Sequence, residues 1–204
     1  MATGQGDATD EMLMVRYQRG DRQAFAHLVR RHQRPVYNFC LRQLRQPNLA
    51  EDVTQDVFLK LVQNAAEFKH EARFATWLYT IARNLCIDQI RKAAHRRHPS
   101  LDAPLESGTS RTLGDNVPDH HPKASAERAT VSSQMFSSIV QAVESLPEEQ
   151  REVFLLREVG NLPFKDIADV TGVPENTVKS RMRYALDRLK NALSDFEEYA
   201  RALR

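Results

Sequence analysis

The side chains best suited to chemistry fall into three groups. Between Lys69 and His98, seven bases (Lys69, Arg73, Arg83, Arg91, Lys92, Arg96 and Arg97) stand against Glu71 and Asp88, a balance of +5. They are interleaved with aromatics, Phe74, Trp77 and Tyr79, just after Phe68. Rings mixed with cations suit a melted nucleic-acid strand, because bases stack on the rings while the cations follow the phosphates. A second stretch, Glu175 to Asn191, sets five bases against two acids, a balance of +3. Each basic stretch could neutralise phosphates and release counterions, the usual source of sequence-independent affinity for DNA. The third group is acidic: Asp52 and Asp56 lie four residues apart, with Glu51 and Gln55 beside them. On a helix such like-charge spacing costs about 0.2–0.5 kcal/mol, which a solvated face tolerates.

Catalytic chemistry finds no comparable grouping. His120 and His121 lie in a polar stretch, and His95 and His98 adjoin Arg96 and Arg97, whose charge disfavours a cation. There is no nucleophile–base pair and no phosphate-cradling glycine loop, so neither a metal, a cofactor nor an enzyme is expected. Cys40 and Cys86, the only two cysteines, each sit in an apolar helical pattern and read as buried thiols. The first residues, Met1 to Asp10, are polar and acidic, and no apolar run nears the roughly 20 residues of a membrane span. The expectation is a cytoplasmic protein without membrane insertion.

These residues must be positioned by helices. Apolar residues make up 41% of 204 and charged ones 27%, which allows a core or two small ones. Thr9 and Asp10 are placed to cap a first helix, and Gly20 followed by Asp21 reads as one helix ending and another being capped. Phe25, Leu28, Val36, Phe39, Cys40 and Leu44 recur at helical spacing, with Pro35 suggesting a bend or restart. Asn48, with Glu51 three residues on, gives a capping-box-like start to a stripe of Val53, Val57, Leu61 and Ala65. Phe74, Trp77, Leu78, Ile81, Leu85 and Cys86 mark the next helix. From Pro99 to about Ala129 the periodicity stops and Pro, Gly, Ser, Thr and Asp dominate; three bases against five acids give this linker −2.

Beyond it, helical patterning resumes at Phe136, and Pro147 opens a helix carrying Val153 and Leu156. Then come a short segment from Lys165 to Thr171, a break at Gly172 and Pro174, and a long basic helix. Helix, short glycine turn and basic helix is the order of a helix-turn-helix. In the last helix Val178, Met182, Ala185, Leu186 and Leu189 occupy one face. Asn176, Thr177, Ser180, Arg183, Tyr184 and Asp187 occupy the other, with Lys179 and Arg181 at the flanks. That outer face has the donors of a major-groove reader.

The segment SLPEEQREVFLLREVGNLPFKDIADVTGVPENTVKSRMRYALDRLK, Ser145 to Lys190, closely resembles the promoter-binding carboxyl-terminal domain of sigma factors. The resemblance implies that Thr177, Lys179, Ser180, Arg181, Arg183 and Tyr184 meet the minus-35 element. NLAEDVTQDVFLKLV is similar to the sigma-factor helix that docks on the clamp coiled coil of the largest polymerase subunit, which implies polymerase contacts at Asp52, Gln55 and Asp56. FATWLYTIARNLCIDQIRK resembles the segment that melts and captures the minus-10 element, implying DNA contacts at Phe68, Arg73, Trp77, Arg83, Asn84, Arg91 and Lys92. Within that set, Asn84 falls where the family builds a pocket for a flipped-out base. Where many relatives carry a small glycine-containing loop, this chain has Lys69-His70-Glu71-Ala72-Arg73.

The implied protein is an all-α sigma factor of the extracytoplasmic-function group, two small helical domains joined by a flexible linker, the second a helix-turn-helix. Its expected domains are residues 9–98, an acidic linker over 99–129, and 130–195. The expected partners are core RNA polymerase, through its largest and second-largest subunits, promoter DNA and an anti-sigma factor. In relatives the linker threads toward the RNA exit channel. The competing reading, a stand-alone helix-turn-helix regulator, explains the second domain but leaves the aromatic, basic helix of the first without a role.

Overall fold

A computed structural model of the protein describes residues 8–69, 72–96 and 126–194. The linker from Pro99 to Ser125, with His98, His120 and His121, and the tail after Ser194 lie outside the described residues, as do His70 and Glu71. Among the described residues there are eight α-helices, one 3-10 turn and no strand.

Helix α1 (Asp10–Gln18) starts where Thr9 Oγ1 accepts the Met12 N–H at 3.3 Å. It ends at Gly20, whose φ of 98° is a conformation most side chains avoid. Asp21 then caps α2 (Arg22–Leu44), accepting the N–H groups of Gln23 and Ala24 at 3.0 and 3.3 Å. Pro35 neither ends nor restarts α2, contrary to the sequence pattern. Leu28 before it and Val36, Phe39 and Cys40 after it are all fully buried, so core packing on both sides holds one continuous helix. Helix α3 (Pro47–Gln63) begins at Pro47, one residue before the expected Asn48 cap. Pro at the first position has the helical φ already set and no N–H to satisfy, so a side-chain cap is dispensable.

Helix α4 (Phe74–Arg96) crosses α2 and α3 and buries Phe74, Leu78, Ala82 and Cys86 against them. Cys40 and Cys86 are both buried and free. The Cys86 thiol donates toward the Cys40 sulfur, which lowers the pKa of Cys40 and raises that of Cys86. The 3-10 turn (Ala65–Glu67) is tied to α1 by Gln18, whose Nε2 donates to the carbonyls of Ala65 and Phe68 at 2.8 and 2.9 Å.

The second group is α5 (Ala126–Ser145), α6 (Glu148–Glu158), α7 (Phe164–Thr171) and α8 (Glu175–Ala192). Helix α5 starts at Ala126, inside the stretch read as linker, because Ala-Glu-Arg-Ala is strongly helix-forming without showing an apolar stripe. Arg151 of α6 is buried and donates from Nη1 to the carbonyls of Leu146 and Glu144 at 3.1 and 3.4 Å, satisfying acceptors at the end of α5. Burial, reinforced by the nearby Arg45, pushes the pKa of its guanidinium below the ordinary value.

Helix α1 acts as a clasp on the first group. Its Asp10 carboxylate accepts from Arg31 at 2.8 Å and from His32 Nε2 at 2.7 Å, and Glu11 accepts the first N–H of α4, at Phe74, at 3.0 Å. Burial alone would raise the Asp10 carboxyl, but the hydrogen bonds from His32 and Arg31 outweigh it and hold the pKa below the ordinary 3.8. A carboxyl whose folded pKa is depressed stabilises the fold above its unfolded value and loses that contribution as pH falls through the folded one. Asp10→Asn is therefore expected to cost about 1–3 kcal/mol in urea denaturation at neutral pH. The gap to wild type should close as the medium is acidified below the ordinary carboxylate range; a gap that persists there would refute the ion-pair origin.

Candidate nucleic-acid interface

Three surfaces carry the side chains singled out above. On α3, Val53, Val57 and Leu61 face the core, while Asp52, Gln55 and Asp56 are exposed together on the opposite side. Leu59, 57% exposed, and Val62, 41% exposed, share that outer side. Sequence reading missed them, although Leu59 stands three residues after Asp56 and seven after Asp52, the spacing of neighbours on one helix face. The α3 surface is therefore acidic with an apolar centre, not simply a solvated charge stripe.

On α4 the expected residues divide. Trp77, Asn84 and Arg91 follow one another at intervals of seven, so they line one outer face; Asn84 and Arg91 are exposed and Trp77 is half-buried. Lys92 is also exposed. Phe68 is buried, its ring 5.3 Å from Trp77 and 6.1 Å from Phe74, so it supports the tryptophan from beneath and is not offered to a ligand. That departs from the sequence expectation; a ring at the end of the 3-10 turn is drawn into the nearest apolar gap. Arg83 points away from the Trp77 line. Its Nε lies 2.8 Å from Glu152 Oε1 on α6, and the side chain is only 20% exposed. Arg73 is largely exposed, with Nε 3.9 Å from Asp166 on α7.

The third surface is α8. Helix α7 ends at Gly172, whose φ of 71° places it in the left-handed region, and α8 opens after Pro174. Val178, Met182, Ala185 and Leu189 are buried; Leu186, assigned to the apolar face by spacing, is 48% exposed because it lies at the edge of that stripe. Lys179, Ser180, Arg183 and Tyr184 are exposed and Thr177 is half-buried. Ser180 Oγ donates to the Asn176 carbonyl at 2.9 Å, Lys179 Nζ meets Glu175 at 2.6 Å, and the Arg183 guanidinium stacks 5.0 Å from the Tyr184 ring centroid. Arg181 differs from its neighbours: it is turned toward α6, where its Nη2 lies 2.7 Å from Glu149 Oε2. Among the described residues no group of three or more acidic, histidine or cysteine side chains is placed to hold a metal ion, and no helix is long and apolar enough to cross a membrane.

An all-helical protein in which a helix-turn-helix exposes cations, accompanied by a second unit with an exposed aromatic and basic helix, is of the DNA-binding class. Comparison with known proteins narrows it. The family described as sigma-70 region 2 matches residues 28–96, and sigma-70 region 4 matches residues 136–189. The ECF RNA polymerase sigma factor SigW of Bacillus subtilis is 33% identical over 183 residues, spanning 87% of this chain and 92% of that protein. The ECF RNA polymerase sigma-E factor of Escherichia coli K12 is 31% identical over 183 residues, 90% of this chain and 93% of its own. The chain belongs to the extracytoplasmic-function group of the sigma-70 family, the alternative sigma factors of RNA polymerase. Two solved structures share the fold. The sigma factor RpoE in complex with the anti-sigma factor NepR from Bartonella quintana aligns with TM-score 0.63 at 23% identity, covering 83% of this chain and 96% of that one. CnrH in complex with the cytosolic domain of CnrY aligns with TM-score 0.62 at 21% identity, covering 92% and 99%.

The different settings of Arg181 and Arg183 have a measurable consequence. A double-mutant cycle of Arg181→Ala and Glu149→Ala is expected to give a coupling of about 0.2–1 kcal/mol, the range for pairs with one exposed partner. Arg183→Ala should leave the unfolding midpoint unchanged, and a loss as large as that of Arg181→Ala would contradict the geometry.

Proposed function

We propose that this chain directs core RNA polymerase to promoters through the three surfaces just described, one for the enzyme and two for DNA. The observation that carries the reading is that the outer faces of α3, α4 and α8 expose the side-chain types each task needs, on the segments the sigma-70 regions match. The α3 face, with Asp52, Gln55 and Asp56 around Leu59, takes the clamp coiled coil of the largest subunit. An apolar centre with a charged rim is the usual anatomy of a protein contact. Trp77, Asn84 and Arg91 engage the melted minus-10 strand by stacking, base-edge hydrogen bonds and phosphate pairing. Lys179, Ser180, Arg183 and Tyr184 enter the major groove at the minus-35 element, with Thr177 near the helix start at the backbone. The domains are 9–98 and 130–195, joined over 99–129. The chain contributes specificity to the polymerase and no catalytic group of its own. It works in the cytoplasm, on the nucleoid. Since solved neighbours are sigma factors held by anti-sigma factors, this one too is expected to be held by such a partner.

The experiment is reconstitution with purified core polymerase and sequencing of transcript 5′ ends, repeated with variants. Asp52→Lys with Asp56→Lys should abolish retention on immobilised core enzyme while the circular dichroism spectrum is unchanged. Retained binding would remove the α3 assignment. Arg183→Ala should weaken promoter binding by about 1–3 kcal/mol and relax preference at a single base if it reads a base edge. Normal transcription from every promoter would discard the α8 assignment.

A further inference from the structure

The two helical units do not stand apart; they meet along α4. Tyr79, buried to 1% exposure, projects from α4 so that its ring lies against Gly160, where a Cβ would come within 3.2–3.3 Å of it. Its hydroxyl donates to the Val159 carbonyl at 3.3 Å. Around this contact every charged pair between the units has the same sense, a base from the first unit and an acid from the second. Arg83 meets Glu152 at 2.8 Å, Arg42 meets Glu144 at 3.0 Å, and Arg73 reaches Asp166 at 3.9 Å. Asp166 also accepts the Thr76 hydroxyl at 2.5 Å. Carboxylates thus occupy the cations on one flank of α4 in the manner of phosphates.

Distance gives this contact a consequence. Elements named for positions 35 and 10 lie about 25 base pairs apart, or roughly 85 Å along a duplex at ~3.4 Å per step. The whole of α4, 23 residues long, measures only about 35 Å at ~1.5 Å per residue. A chain whose α7 touches α4 cannot place α8 and α4 on both elements at once. The 29 residues from 97 to 125, fully extended, span at most about 100 Å, enough for the units to separate without unfolding either.

We propose that the second unit is an intramolecular cover for α4: in the free chain Glu152 and Asp166 hold Arg83 and Arg73 against DNA, and the units part only when polymerase and promoter take up these surfaces. This rests on the reading of α4 as a DNA-binding helix. The interface is complementary in charge to a polyanion's target, so DNA competes for the same guanidinium groups, and added salt weakens the polar part of the closure. A closed state holding nine-tenths of the molecules lowers apparent DNA affinity about tenfold.

The test uses the full chain without polymerase. Small-angle X-ray scattering reads whether the units are together, and fluorescence anisotropy with a labelled single-stranded DNA of mixed sequence reads access to the cations. Glu152→Gln with Asp166→Asn is the interface variant. Glu158→Gln with Asp169→Asn removes the same charge from exposed positions away from the interface, and Glu152→Lys with Asp166→Lys, used for scattering alone, forces like charges together. Wild type and the control should be compact, both interface variants extended, and the amide variant should bind DNA up to about tenfold more tightly than the control. A wild type as extended as the lysine variant, a lysine variant as compact as wild type, or an affinity gain no greater than the control's would each overturn the proposal. The reading of α4 fails separately: Arg73→Ala with Arg83→Ala, together with Trp77→Ala, would leave holoenzyme transcription unchanged.

Discussion

Burial of α4 on two flanks is the constraint from which the remaining arrangement follows. A helix has room for one face against each neighbour. Once Phe74, Leu78, Ala82 and Cys86 are committed to α2 and α3, and Thr76, Tyr79 and Arg83 to α6 and α7, only one strip is left to solvent. Trp77, Asn84 and Arg91 occupy that strip. The aromatic content of the helix is therefore partitioned by packing: Phe74 and Tyr79 are core, and Trp77 alone of the three helix rings is partly available.

The start of α4 depends in turn on α1. A helix whose first N–H groups lack partners frays, and here Glu11 supplies the acceptor for Phe74 from a helix more than sixty residues earlier. His32 packs its ring 5.2 Å from Phe74 while its Nε2 holds Asp10. Burial would raise the Glu11 carboxyl, but the Phe74 N–H and further hydrogen bonds keep it ionised below its ordinary range. Two adjacent acids at the start of α1 thus tie together the three helices that frame the aromatic face.

Electrostatics organises the protein on a scale that net charge conceals. A formal balance of +2 suggests near-neutrality. Yet the first unit presents arginines, and the second answers with Glu144, Glu152 and Asp166, while the second keeps its own cations on the opposite side, along α8. Each unit has one surface suited to an acidic partner, and in the closed chain one of these is occupied internally. Salt therefore acts on the internal contact and on DNA binding through the same groups.

The eight-helix order, the glycine turns at Gly20 and Gly172, the buried stripes and the acidic face of α3 were legible in the sequence, because each depends on spacing within one segment or on backbone conformations few residues adopt. Periodicity likewise separated Arg183 from the buried side of α8. What spacing cannot encode is which neighbour a flank meets. Pro35 staying inside one helix, Phe68 folding under Trp77, Arg181 turning to Glu149 and Arg83 to Glu152 are all decided by residues distant in the chain. A one-dimensional pattern assigns an arginine to a face; only the packing of a second helix against that face determines whether its charge is already spent on a carboxylate or free for a phosphate.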